Sequence, residues 1–155
     1  MTTYVDSSAL VPVYVPERFS EAARSVVRTA GAIPFNALHQ FEVPNAFEQL
    51  VGRDALTRAE CRAVLAQLRD DLEDQRLMPV SVDLDRVFTQ ANEFSRLYTA
   101  KFLTRSLDLL HVAAAHVSSC TTFVSAGDRQ LAVAKASGLS VVDIKRRTRS
   151  SRRRS

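Results

Sequence analysis

Three aspartates and one glutamate are placed where a sheet-edge site would draw on them. Asp6 follows the β-suitable pair Tyr4-Val5 and precedes the helix-compatible run Ser7-Ser8-Ala9-Leu10. Asp128 repeats that order of strand, carboxylate and helix after Thr121-Thr122-Phe123-Val124-Ser125. Asp108 falls in the first turn of the nearly all-round apolar segment 105–115, a pattern that predicts a buried helix and therefore a carboxylate in need of a partner. Glu42 lies near the start of a further helix, with Asn45 three residues on along the same face and Glu48 displaced from it. In open α/β sheets the crevice outside the carboxyl ends of the strands is the place where ligands bind. Taken alone, Asp6 reads equally well as a turn residue beside a helix capped by Ser7 or Ser8.

Carboxylates crowded together without a cation repel one another and raise each other's pKa values, and a divalent cation removes that conflict. An all-oxygen donor set favours Mg²⁺ or Mn²⁺ with water completing the shell. Such an ion activates a water and stabilises in-line displacement at phosphorus. The histidines, His39, His111 and His116, lack the spacing of a metal pair and read as packing or supporting residues. There is no G-x-S-x-G, no phosphate-cradling glycine loop and no plausible Cys-His pair. Cys61 and Cys120, far apart and outside any C-x-x-C, read as buried small hydrophobes.

The elements that must position these acids alternate along the chain. Apolar residues 9–15 predict a short helix limited by Pro12, 20–29 a helix ended by Gly31, and 32–35 a strand. Leu38, Phe41, Val43, Ala46, Phe47, Leu50 and Val51 recur at helical spacing, with Pro44 leaving the start open between Leu38 and Glu42. Thr57-x-x-Glu60 has capping-box form and opens a helix over 57–75 that pairs with its predecessor as a hairpin. Residues 77–82 predict a strand, and Asp83 and Asp85 read as the acidic start of a helix over 83–98. A helix follows Asp128 and stops at Gly138, and 140–144 predict a last strand. Strands alternating with helices imply a largely parallel sheet with right-handed crossovers.

The 155 residues fit one domain with a full core, and a 46% hydrophobic, 25% charged composition is that of a soluble globular protein. No apolar run approaches the length of a membrane span and no basic-then-apolar leader begins the chain, so the expectation is a cytoplasmic protein. Charge is unevenly divided: residues 1–144 carry 14 basic and 17 acidic residues, whereas 145–155 carry seven basic residues and no acid. The domain is accordingly 1–144. Lys145, Arg146, Arg147, Arg149, Arg152, Arg153 and Arg154 form a basic tail, disordered by composition, that either attracts a phosphate backbone such as RNA or serves only solubility.

Val5-Asp6-Ser7-Ser8-Ala9-Leu10, Glu42-x-x-Asn45, Arg105-Ser106-Leu107-Asp108-Leu109-Leu110-His111 and Phe123-Val124-Ser125 leading to Asp128 resemble, across residues 3–144, the PIN-domain nucleases. The nearest group is similar to the VapC-like toxin ribonucleases of type II toxin-antitoxin modules. The resemblance implies a PIN-like three-layer α/β fold with about five parallel strands. It also implies Mg²⁺- or Mn²⁺-dependent RNA cleavage, often of tRNA or rRNA, homodimers, and inhibition by a cognate antitoxin. Asp6, Glu42, Asp108 and Asp128 fall on its acids, and Ser8 on a hydroxyl that helps hold metal-associated water; Asn45 would support the same face. The family's hydroxyl-x-Asp element is one residue longer here, as Ser125-Ala126-Gly127-Asp128. The expected function is a metal-dependent endoribonuclease toxin. The alternatives are a non-catalytic PIN-fold protein that binds nucleic acid or regulates through its antitoxin complex, and a metal-dependent phosphatase.

Overall fold

A computed structural model describes residues 2–146, so Arg147, Arg149, Arg152, Arg153 and Arg154 of the basic tail lie outside the described residues. Five short strands alternate with helices: β1 (Thr3–Val5), α1 (Ser7–Tyr14), α2 (Ser20–Thr29), β2 (Ile33–Phe35), α3 (Ala37–Gly52), α4 (Arg58–Glu73), β3 (Leu77–Pro79), α5 (Leu84–Phe94), α6 (Ala100–Phe102), α7 (Ser106–Val117), β4 (Thr122–Ser125), α8 (Asp128–Ala136) and β5 (Ser140–Asp143). A π-helical turn, Ser95–Thr99, joins α5 to α6.

Every strand pairing is parallel, as the alternation predicts, but the strands do not form one five-stranded sheet. β1, β4 and β5 pair in the order β1-β4-β5, and β2 pairs with β3 separately. The strands are three or four residues long, so few ladder positions exist to carry pairing from β1 across to β2.

The pleat of the larger sheet divides the core in two. Tyr4 and Phe123 point to the side packed by α5, α7 and α8, while their neighbours Val5 and Val124 point to the side packed by α1 to α4. Period-two alternation thus feeds two apolar layers from very short strands. Register fixes the site edge: Val5 pairs with Val124, and the Asp6 amide donates to the Val124 carbonyl at 3.0 Å, so Asp6 and Ser125 leave the sheet side by side.

The helices follow local chemistry closely. Thr57 and Glu60 form the expected reciprocal capping box, Asp83 accepts from the Arg86 amide, and Gly31 and Gly138 take positive φ after α2 and α8. Helix α3 starts at Ala37, ahead of both candidate starts, because Asn36 caps it by accepting from the Leu38 and His39 amides. Pro44 is accommodated within it. Phe41, placed on the inward stripe by spacing, is instead 68% exposed. At the first helix, Ser7 and Ser8 do not cap: Asp6 is the N-cap residue and the Ser8 hydroxyl turns back to its carboxylate.

Both cysteines are buried and free of disulfides, and α7 is buried nearly all round, as expected. Among the described residues no helix is long and apolar enough to cross a membrane.

Candidate active site

Asp6, Glu42 and Asp108 reach one open cleft of about 460 Å³ from three separate elements: the end of β1, the second turn of α3 and the first turn of α7. Ser7 and Ser8 line its floor, and Val11, Pro12, Val15 and Leu50 make an apolar wall. One further acid, the exposed Glu17 between α1 and α2, also lines it while its Oε1 accepts from the Phe19 amide at 2.9 Å.

Asp6 is 2% exposed, which makes it the most enclosed of the acids. Burial pushes its carboxyl from an ordinary 3.8 up to about 6, with Glu42 adding to the rise and His111 and Ser8 opposing it. The Ser8 hydroxyl donates to Asp6 Oδ1 at 2.9 Å, and the buried Ser125 hydroxyl lies 3.2 Å from Ser8 Oγ. Half-buried Asp108 is likewise raised, first by burial and then by the charge of Glu42. Its place in the first turn of α7 offsets part of that cost through the helix dipole. For Glu42, burial is the largest single influence and pushes upward, but the hydrogen bond from His111 Nε2 at 2.8 Å, the charge of His111, and the nearby Ser7 and His39 together outweigh it and hold the carboxyl below its usual range.

The fourth acid and the polar companion on α3 are not brought to this cleft. Asp128 is an exposed residue whose Oδ1 accepts from Lys145 Nζ at 2.6 Å, and that ammonium also donates to the Ala126 carbonyl. This ion pair holds the Asp128 carboxyl below its usual range. The extra residue in Ser125-Ala126-Gly127-Asp128 carries the aspartate past the sheet edge, where it opens α8. Asn45 is exposed and does not line the cleft. Lys145 and Arg146 stand on the Asp128 side, beside Arg18 and Asp143.

His111 takes the supporting role that the sequence allowed it, whereas the parts that Tyr4 and Ser125 play in holding the acids were not foreseen. His111 bonds Glu42, and Tyr4, read only as a strand former, bonds His111 Nδ1 from the core at 2.8 Å. Ser125, read as the end of a strand and the hydroxyl of the lengthened hydroxyl-x-Asp element, is buried against Gln130 and Ser8. The three-residue spacing from Asp108 to His111, one helical turn, pointed to a supporting role for His111, but Glu42 as its partner carried no sequence signal.

The donor chemistry of Asp6, Glu42 and Asp108 suits a hard divalent cation: oxygen ligands only, on one cleft, two of them with charge raised in cost by burial and by a neighbouring carboxylate. As the side chains stand, no three of the histidine, cysteine, aspartate and glutamate residues among the described residues already enclose a metal position. The three acids suit such an ion by donor type, while Glu42 is turned to His111.

The fold defined by these elements is the α/β, PIN-like arrangement of a parallel sheet flanked by helices. No family model matches the sequence, and no curated protein sequence matches it. Among solved structures, the chain is similar to one described as the crystal structure of FitAcB from Neisseria gonorrhoeae, with a TM-score of 0.63 at 15% identity, covering 92% of this chain and 98% of that one. At that identity the likeness is one of fold.

Proposed function

We propose that the chain is a metal-dependent endoribonuclease of the toxin type, hydrolysing RNA phosphodiester bonds at the cleft of Asp6, Glu42 and Asp108. The observation that carries this reading is the convergence of three carboxylates from β1, α3 and α7 on one open cleft, two of them with raised pKa. The similarity of fold to FitAcB and the motif resemblance to VapC-like ribonucleases agree with it.

Asp6, Asp108 and Glu42 would hold Mg²⁺ or Mn²⁺, which when bound supplies charge for the phosphodiester oxygens and activation of a water. Ser8 keeps the Asp6 carboxylate oriented by donating to both of its oxygens. Asp128, paired with Lys145 and outside the cleft, stands apart from this set. Lys145, Arg146 and the arginines beyond them supply positive charge for the RNA backbone.

A cognate antitoxin and a second copy of the chain are the proposed protein partners. Phe41, Phe88, Leu97 and Leu103 are exposed apolar residues available for such contacts. The reading is tested by incubating purified protein with total bacterial RNA in Mg²⁺, Mn²⁺ or excess chelator. Discrete fragments that vanish with chelator are expected. RNA binding without cleavage in either metal would favour the non-catalytic alternative.

A further inference from the structure

A chain of buried hydrogen bonds runs from the start of α3 to Glu42, and its polarity is fixed link by link. The Asn36 side-chain oxygen accepts from the Leu38 and His39 amides, which leaves its Nδ2 as the group facing Tyr4 Oη, at 3.1 Å. An amide nitrogen only donates, so the Tyr4 oxygen accepts there and must direct its single proton elsewhere. Its other partner is His111 Nδ1, at 2.8 Å. Nδ1 is thereby an acceptor, and the imidazole proton sits on Nε2, 2.8 Å from Glu42 Oε1 and 3.4 Å from Ser7 Oγ. A proton on Nδ1 would set two donors against Tyr4 and strand the tyrosine's own hydrogen in a fully buried site. Tyr4, Asn36 and His111 are each 0% exposed, so water cannot repair such a mismatch.

His39 shows the same logic beside it. The Asn36 backbone N–H donates to His39 Nδ1 at 3.1 Å, and His39 Nε2 donates to the Val5 carbonyl at 2.9 Å. Both histidines are therefore locked in one tautomer by the residue that caps α3.

We propose that His111 is a positioning residue for Glu42, held in its Nε2–H tautomer by Tyr4 and Asn36 so that it presents the Glu42 carboxylate to the cleft. This deepens the proposed reading and rests on it in one respect, that Glu42 is a metal ligand. The network explains a placement that helix geometry alone does not: Glu42 sits only three residues after His39 on α3, and its carboxylate is directed by a residue 69 positions away. Ligand carboxylates and their hydrogen-bonding partners commonly act as such a unit.

The test combines a tautomer readout with metal affinity. Long-range ¹H–¹⁵N correlation spectra of the full chain, with His111 assigned by His111→Gln, are expected to show the proton on Nε2. Tyr4→Phe keeps the ring that stacks on Phe123, at 5.6 Å between centroids, and deletes one oxygen. It is expected to mix the His111 tautomers and weaken Mn²⁺ binding roughly 10- to 100-fold. His111→Leu should weaken Mn²⁺ binding as much, and His111→Gln, which keeps an amide donor toward Glu42, should restore most of the affinity. Circular dichroism confirms that each variant is folded. A proton on Nδ1, or Mn²⁺ affinity unchanged in Tyr4→Phe and His111→Leu, overturns the inference. An Nε2 proton with no Mn²⁺ binding by the wild type refutes the metal-site reading instead, and the positioning role falls with it.

Discussion

The Ser8 hydroxyl lies 2.9 and 3.1 Å from the two oxygens of Asp6, two residues back along the chain. That hydroxyl also receives the Ala126 amide at 3.1 Å, so the end of β1, the start of α1 and the loop after β4 are pinned at one point. A side chain of a type suited to cap a helix instead steadies the acid before it.

Ser8→Ala removes a bond that favours the charged form of Asp6. Its carboxyl is expected to move still higher, and Mn²⁺ affinity measured by calorimetry to fall roughly 10- to 100-fold. Affinity equal to wild type would show that Ser8 does not support the site.

Asp6 itself burdens the fold at neutral pH. The unfolded chain gives up this proton near 3.8 and the folded chain keeps it to about 6. Across that window the native state binds more protons, so stability falls as pH rises, and above it the cost is on the order of 3 kcal/mol. Asp6→Asn should therefore raise the melting temperature by several degrees at pH 7.5 in metal-free buffer and by little at pH 4. Equal melting temperatures at pH 7.5 would contradict the strained carboxylate. A saturating divalent ion should narrow the gap by stabilising the wild type alone.

Asp128 is expected to behave unlike the cleft acids. Lys145→Met should let the Asp128 carboxyl rise toward its ordinary pKa, measured by carbon NMR, while the melting temperature stays close to that of the wild type, because solvent screens so exposed a pair. Asp128→Asn should retain more cleavage activity than Asp6→Asn under identical conditions. Activity as low as that of Asp6→Asn would place Asp128 in the working site.

Removal of residues 145–155 deletes seven basic residues and no acid. If they meet the RNA backbone, the slope of log affinity against log salt should become shallower, by up to about 0.7 for each single-strand phosphate that the tail had neutralised. An unchanged slope would assign the tail no part in binding.

Much of this arrangement was legible in the sequence because its signals are local. Thr57 and Glu60, Asp83, Gly31 and Gly138 mark helix ends by chemistry confined to a few residues, and the strand-to-carboxylate junction at Asp6 announces a sheet edge. The division of the strands between two sheets was not legible, since three-residue strands carry too little pattern to fix their neighbours. Phe41 obeyed helical spacing yet faces solvent, because spacing places a residue on a stripe without saying how wide the covered stripe is. The Asp128 and Glu42 environments depend on Lys145 and His111, which lie 17 and 69 residues away from them, beyond the reach of any local motif.

The most direct test of the central claim is cleavage of end-labelled total bacterial RNA in Mg²⁺ by the wild type and by the double variant Asp6→Asn, Asp108→Asn, both verified as folded. Discrete fragments from the wild type and none from the double variant are predicted. Full cleavage by the double variant would contradict the assignment of the cleft as the site of chemistry.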